Sequence, residues 1–228
     1  MRTFLRVVIA ATLPLVLVTF AFRVVCLPWL PAWEYSRPGF PPDPFGMSPE
    51  ERLYLAQLSV YFLNVPHDPP LLAGARFTDG TSAFNERELT HMDDVKIVFD
   101  QVSLAGLAAL ALGTAAAWAL GRRYGPAAVW GALCDGGLAL LVIVVLLGVV
   151  MVLSWNFFFT AFHALFFEAD TWLFAYSDTL IRLFPERLWQ DVTLFVVILT
   201  VTPAFVLALV GRGLQHRLER RAAGPEGA

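Results

Sequence analysis

The chain reads as an all-α integral membrane protein, a four-transmembrane-helix bundle with helical extracytoplasmic segments. Three observations carry this reading. Its 228 residues are 57% hydrophobic and only 15% charged, too apolar for an ordinary soluble domain. The apolar residues gather in four blocks, about 7–30, 101–121, 136–158 and 192–211, each near the ~20 residues that cross ~30 Å of hydrocarbon. The segments between the blocks alternate in charge sign, as the connections of a multi-pass protein do. The whole chain, 1–228, is read as one membrane domain.

The first block follows Arg2 and Arg6 and lacks a small-residue cleavage site, so it reads as a retained span, kinked modestly at Pro14. Arg23 at its end is placed to snorkel toward an interface. Residues 31–100 form a long outer connection whose first part, to Pro49, is proline-rich and extended. Ser48-Pro49-Glu50-Glu51 is a helix start: a cap, proline at the first helical position, and acids in the first turn. The helix it opens covers about 49–63 and ends before Pro66 and Asp68-Pro69-Pro70, with a loop around Asp79-Gly80 over 71–84. Asn85 with Glu88 is a second start, a reciprocal cap leading into the second span. Between the third and fourth spans, residues 159–191 are aromatic but interrupted by Glu168, Asp170, Asp178, Arg182 and Glu186. That pattern suits a segment lying at the interface.

Arg2, Arg6, Arg122, Arg123, Arg212, Arg217, Arg220 and Arg221 fall on one side, with only Glu219 and Glu226 as acids in those segments. The connection 31–100 holds eleven Asp/Glu against five Lys/Arg. The positive-inside rule therefore places both termini in the cytoplasm and both long connections outside. A net charge of -3 offers no nucleic-acid footprint. Cys26 and Cys134 read as small apolar residues. Neither a phosphate loop, a His-Glu-x-x-His zinc motif nor a Gly-x-Ser-x-Gly elbow occurs. Cofactors are not implied, and two histidines without a third clear ligand do not make a zinc site.

The chemistry-bearing residues are in the outer connections. His91 lies in the polar patch Asn85–Lys96, with Glu88 and Asp94 three residues away on either side. His163 ends a run, Asn156 to His163, in which Asn156, Thr160 and His163 fall at i, i+4 and i+7 if the helix continues. Two imidazoles suit proton transfer near neutral pH. If Arg122 marks the inner surface, His91 stands on the order of 16 Å above the span. The second helix must then tilt, bend or be walled in by the 49–63 helix for His91 to meet His163. Taken alone, His91 is more often a solvated surface residue, and His163 among phenylalanines is as readily an interfacial anchor. Asp178 and Arg182, at i and i+4, read most simply as a structural ion pair. Tyr54, Tyr61, Trp155, Trp172 and Trp189 read as core or belt aromatics.

The segments Glu88–Lys96 and Phe162–Phe167, and Trp172 followed by Asp178–Pro185, resemble the bacterial four-span membrane family that includes lipoprotein intramolecular transacylase (Lit). The resemblance covers nearly the whole chain and implies that His91 and His163 are a catalytic pair. It also implies the reaction: in a diacylated lipoprotein, the α-amine of the N-terminal cysteine attacks its own sn-2 ester, leaving a lyso-form lipoprotein. Such chemistry needs a base, an acid and oxyanion donors. It needs no protein nucleophile, because the partners arrive tethered. Tyr54, Asn156 and Arg182 are the donor candidates by placement, and Glu88, Asp94 and Asp178 are supporting residues. A monomer in contact with membrane lipids, in the bacterial cytoplasmic membrane with its site at the outer leaflet, completes the expectation. The alternative is a non-enzymatic membrane protein, a small carrier or assembly factor with incidental histidines. Against a carrier, the spans hold almost no ionisable residues beyond Arg23 and Asp135.

Overall fold

A computed structural model of the chain describes residues 1–168 and 171–222, so Asp170 and Glu226 lie outside the described residues. Among these residues the structure is all-helical, with one isolated bridge between Arg76 and Ser82. Four helices are long and apolar enough to span a membrane: α1 (Arg2–Val25), α5 (Glu86–Tyr124), α6 (Pro126–Leu153) and α9 (Glu186–Ala222). The short helices are α2 (Trp29–Ser36), α3 (Pro49–Asn64), α4 (Pro69–Ala73), α7 (Trp155–Phe166) and α8 (Thr179–Leu183). Two compact units form, one from Met1–Phe22, Val102–Ser154 and Phe195–Ala228, the other from Arg23–Gln101 and Trp155–Leu194.

The first unit is a bundle packed through small residues. Without a hydrophobic drive between helices in lipid, close backbone approach supplies the contact energy. A Cβ at Gly106 would stand 2.4 Å from Thr19, and one at Gly113 2.6 Å from Thr12. A second seam repeats the seven-residue spacing: a Cβ at Gly137 would stand 2.6 Å from the Ala204 carbonyl oxygen and one at Gly211 2.9 Å from that of Trp130. Ile9, Ala116, Leu120, Ala128 and Ala132 fill the core between the helices. Asp135, the one acid expected within a span, is neutralised by Arg6 at 2.7 Å. In each span's apolar window only 17–22% is buried within the protein, which leaves the rest for hydrocarbon to cover.

The second unit is built on caps and long-range ion pairs. Ser48 accepts from the Glu51 N–H at 3.2 Å, with Pro49 at the first helical position, and so starts α3 as its sequence dictates. The Asn85–Glu88 box also forms, with Glu88 N–H to Asn85 Oδ1 at 3.0 Å and Asn85 N–H to Glu88 Oε2 at 2.9 Å. The loop expected over 71–84 is shorter at its start, because Pro69 opens the brief helix α4. Gly80, with φ +86°, makes the turn that the Asp79-Gly80 pair announces.

Two expectations are corrected. The helix does not run unbroken from the third span to His163. Ser154 is extended (φ -159°, ψ 99°), so α6 stops at Leu153 and α7 begins afresh at Trp155. Asn156, Thr160 and His163 keep their i, i+4, i+7 relation, but inside α7. The side chains of Asp178 and Arg182 do not pair with each other, although the Arg182 N–H donates to the Asp178 carbonyl at 3.2 Å. Asp178 precedes α8 with an extended backbone (φ -68°, ψ 145°) and takes Arg87 at 3.0 Å. Arg182 makes a fork to Asp43, 2.9 Å on both arms. The i, i+4 contact requires both residues to be helical, and one of them is not.

Candidate active site

His91 and His163 come together within the second unit. Their ring centroids are 6.4 Å apart and their planes differ by 21°. Each ring nitrogen lies only about 1 Å from its centroid, so nitrogens of the two rings come no closer than about 4 Å, outside hydrogen-bond range. A group inserted between them is in reach of both, and neither ring satisfies the other.

The surroundings are aromatic. Phe167 touches both rings, at 4.9 Å from His91 and 5.7 Å from His163. Phe174 adds an edge contact to His91 at 5.3 Å, and Phe159 and Trp172 lie against His163 at 4.0 and 4.8 Å. Such a nest holds rotamers while supplying no charge, so the imidazoles titrate as desolvated groups. Burial, with a smaller contribution from His163, pushes His91 down to about 4. Burial lowers His163 as well, opposed by the Phe159 carbonyl.

The two rings are held differently. His163 Nδ1 is 2.8 Å from the Phe159 carbonyl one turn earlier in α7. A carbonyl only accepts, so Nδ1 carries the proton and Nε2 presents a lone pair. His91 is 8% exposed, and its Nδ1 is buried with no partner among the described residues.

The capping box explains how His91 is positioned. Glu88, 1% exposed, uses Oε2 for the cap and Oε1 to accept the Leu180 N–H at 2.6 Å. One carboxylate thus ties the start of α5 to α8, one turn from His91. Burial raises Glu88 above the ordinary carboxyl range, against the pull of these N–H donors. Asp178 accepts from Asn85 Nδ2, Arg87 and the Ala175 N–H, which secures the same junction. Asp94 is half-buried, and burial, then Glu168 and Asp93, raises its carboxyl.

The donors nominated from sequence are placed otherwise. Tyr54 is 60% exposed and Asn156 is exposed. Arg182 is committed to Asp43, while its carbonyl receives the buried Arg52 guanidinium. Among the described residues no three His, Cys, Asp or Glu side chains converge as a metal site. A hollow of about 600 Å³ lined by Arg2, Thr3, Arg6, Val7, Ala10 and Asp135 belongs to the first unit and contains no histidine. Sequence reasoning assigned Trp172 to packing. Its place beside His163 was signalled only by the motif that joins it to Asp178.

A family model described as "Lipoprotein intramolecular transacylase Lit" matches residues 7–189. A protein of Aquifex aeolicus (strain VF5), described as "Uncharacterized protein", is 31% identical over 211 residues, 92% of this chain and 94% of that one. The in meso structure of the membrane integral lipoprotein intramolecular transacylase Lit from Bacillus cereus shares the fold. The TM-score is 0.69 at 15% identity, over 97% of this chain and 98% of that one. A variant of the Bacillus protein with a histidine replaced by alanine gives 0.64 at 15% identity, over 96% of both chains.

Proposed function

Because the chain belongs to the lipoprotein intramolecular transacylase (Lit) family, we propose that it moves the sn-2 acyl chain of a diacylglyceryl-cysteine onto the α-amino group of the same residue. The observation that carries this is the approach of His91 and His163, from segments 72 positions apart (91 to 163), to 6.4 Å within one apolar nest. His163 Nε2 takes a proton from the attacking amine as the C–N bond forms at the ester carbonyl. The imidazolium is stabilised by its Nδ1–H bond to the Phe159 carbonyl and returns the proton to the glyceryl oxygen as the C–O bond breaks. His91, kept neutral by its burial, hydrogen-bonds to the ester and holds it between the rings. Amide, lyso-glyceryl group and neutral histidine result, with no covalent enzyme intermediate. The tethered amine and ester supply the effective molarity that a protein nucleophile would otherwise provide.

Charge asymmetry supports the orientation in which both termini are cytoplasmic and the histidines serve the outer leaflet. A C-terminal fluorescent reporter that matures only in the cytoplasm should light up, and darkness would reverse the orientation. The function is tested by reconstituting the full chain with a synthetic diacylated lipopeptide and following its N-terminal mass spectrum. Conversion to the N-acylated lyso form supports the reading; unchanged substrate, with the protein folded, removes it.

The depressed histidines give a pH signature. The free bases persist below the ordinary histidine value of 6.5, so no enzyme ionisation should appear near pH 6.5 in kcat/KM, whose acid limb should follow the substrate α-amine, ordinarily at about 7.7–8.0. In stability terms the unfolded chain takes up the proton first. The contribution of His91 is then complete above pH 6.5 and lost as pH falls toward about 4. An enzyme limb at or above 6.5, left once the amine's own ionisation is divided out, contradicts the assignment.

A further inference from the structure

Three buried side-chain polar atoms have no hydrogen-bond partner among the described residues, namely Asn64 Oδ1, His91 Nδ1 and Trp172 Nε1. Two of the three lie in the histidine nest. Trp172 packs its ring on His163 at 4.8 Å, tilted by 35°, and meets Phe159 edge-on at 6.4 Å. Buried indole N–H groups ordinarily find an acceptor. Even the partly exposed Trp29 donates to the Val24 carbonyl, at 2.9 Å. An orphan N–H beside the proposed base is therefore a feature to be explained by what enters the nest.

An indole N–H donates and never accepts, so its missing partner is an acceptor atom. On the reaction proposed above, the acceptor arriving beside His163 is an ester, whose carbonyl oxygen gains negative charge as the amine adds. Arg182 is held by Asp43, and Tyr54 and Asn156 are exposed, which leaves that charge without the donors nominated from sequence. We infer that Trp172 is a catalytic residue of the transacylation, its Nε1–H donating to the ester carbonyl oxygen and stabilising the oxyanion of the tetrahedral intermediate. The surrounding Phe159 and Phe167 exclude water, which strengthens a neutral donor of this kind. This inference rests on the proposed function for the identity of the acceptor.

The test has two arms, both on the full chain. In the kinetic arm, Trp172→Phe removes the N–H and keeps most of the ring. It should lower kcat about 100-fold, the loss typical of one oxyanion donor, with KM changed less than about threefold and thermal unfolding near that of the wild type. If Phe disturbs folding, benzothienylalanine at position 172 replaces only N–H by sulfur and should show the same kcat loss. A kcat within about threefold of wild type in a folded variant overturns the inference.

The binding arm does not depend on turnover. The Trp172 indole ¹H–¹⁵N resonance, assigned by its absence from Trp172→Phe, should move downfield when a diacylated lipopeptide with a blocked amine is added. A shifted resonance in a protein that never converts substrate would retain the hydrogen bond and remove the transacylase reading. Normal conversion with an unmoved resonance and an unaffected Trp172→Phe would do the opposite.

Discussion

His163→Ala should reduce conversion of the diacylated lipopeptide by at least about 10³-fold, and His91→Ala by about 10²-fold or more. The ordering follows from the two environments. His163 has its Nδ1–H fixed by the Phe159 carbonyl at 2.8 Å, which leaves the Nε2 lone pair for the amine proton in the proposed mechanism. Its removal takes away both proton acceptor and proton donor, and each such role is worth roughly 10²–10⁴. His91, whose buried Nδ1 has no partner among the described residues, is assigned to holding the ester, so His91→Gln should recover part of the loss that alanine causes. His163→Gln should recover none, because an amide does not take up the proton. The two losses should not add when both are replaced, since the base and the group holding the ester serve one reacting centre. Mass spectrometry of the N-terminal lipopeptide reads all five variants, and wild-type rates in either alanine variant would end the paired mechanism.

Glu88→Ala should be the most damaging single change to the second unit. It deletes the carboxylate that accepts Asn85 N–H and Leu180 N–H, and the latter donor is buried. Loss of a cap costs about 0.5–2 kcal/mol, and a buried N–H left without a partner about 1–3 kcal/mol. The expected total of about 2–4 kcal/mol should lower Tm on the order of 10 °C for a chain of this size. Glu88→Gln keeps one carbonyl oxygen and should lose less. Because Glu88 lies one turn from His91, kcat should fall with Tm and return with it in the glutamine variant. An alanine variant melting within about 2 °C of wild type would show that α5 and α8 are joined by other means.

What was legible in the sequence is what depends on near neighbours or on the solvent. The four apolar blocks follow from hydrocarbon thickness, and the starts at Ser48-Pro49 and Asn85–Glu88 from orphan N–H groups met within three residues. His163 was legible as a polar residue in an aromatic run, His91 only as a histidine in a charged patch, and the resemblance to the family joined them. The break at Ser154 was not, because no proline or glycine marks it and large apolar residues resume at once with Trp155 and Phe157.

The tertiary structure alone decided the partners. Arg182 finds Asp43 across 139 positions, Glu88 finds the Leu180 N–H across 92, and Trp172 comes against His163 with no partner for its N–H among the described residues. By itself the sequence determined which stretches are long and apolar enough to span a membrane, where α3 and α5 begin and which histidines are candidates. It did not determine which buried donors meet which acceptors. Helix starts and spans are fixed by interactions a few residues long, whereas a long-range pair forms only where packing brings its members within about 3 Å.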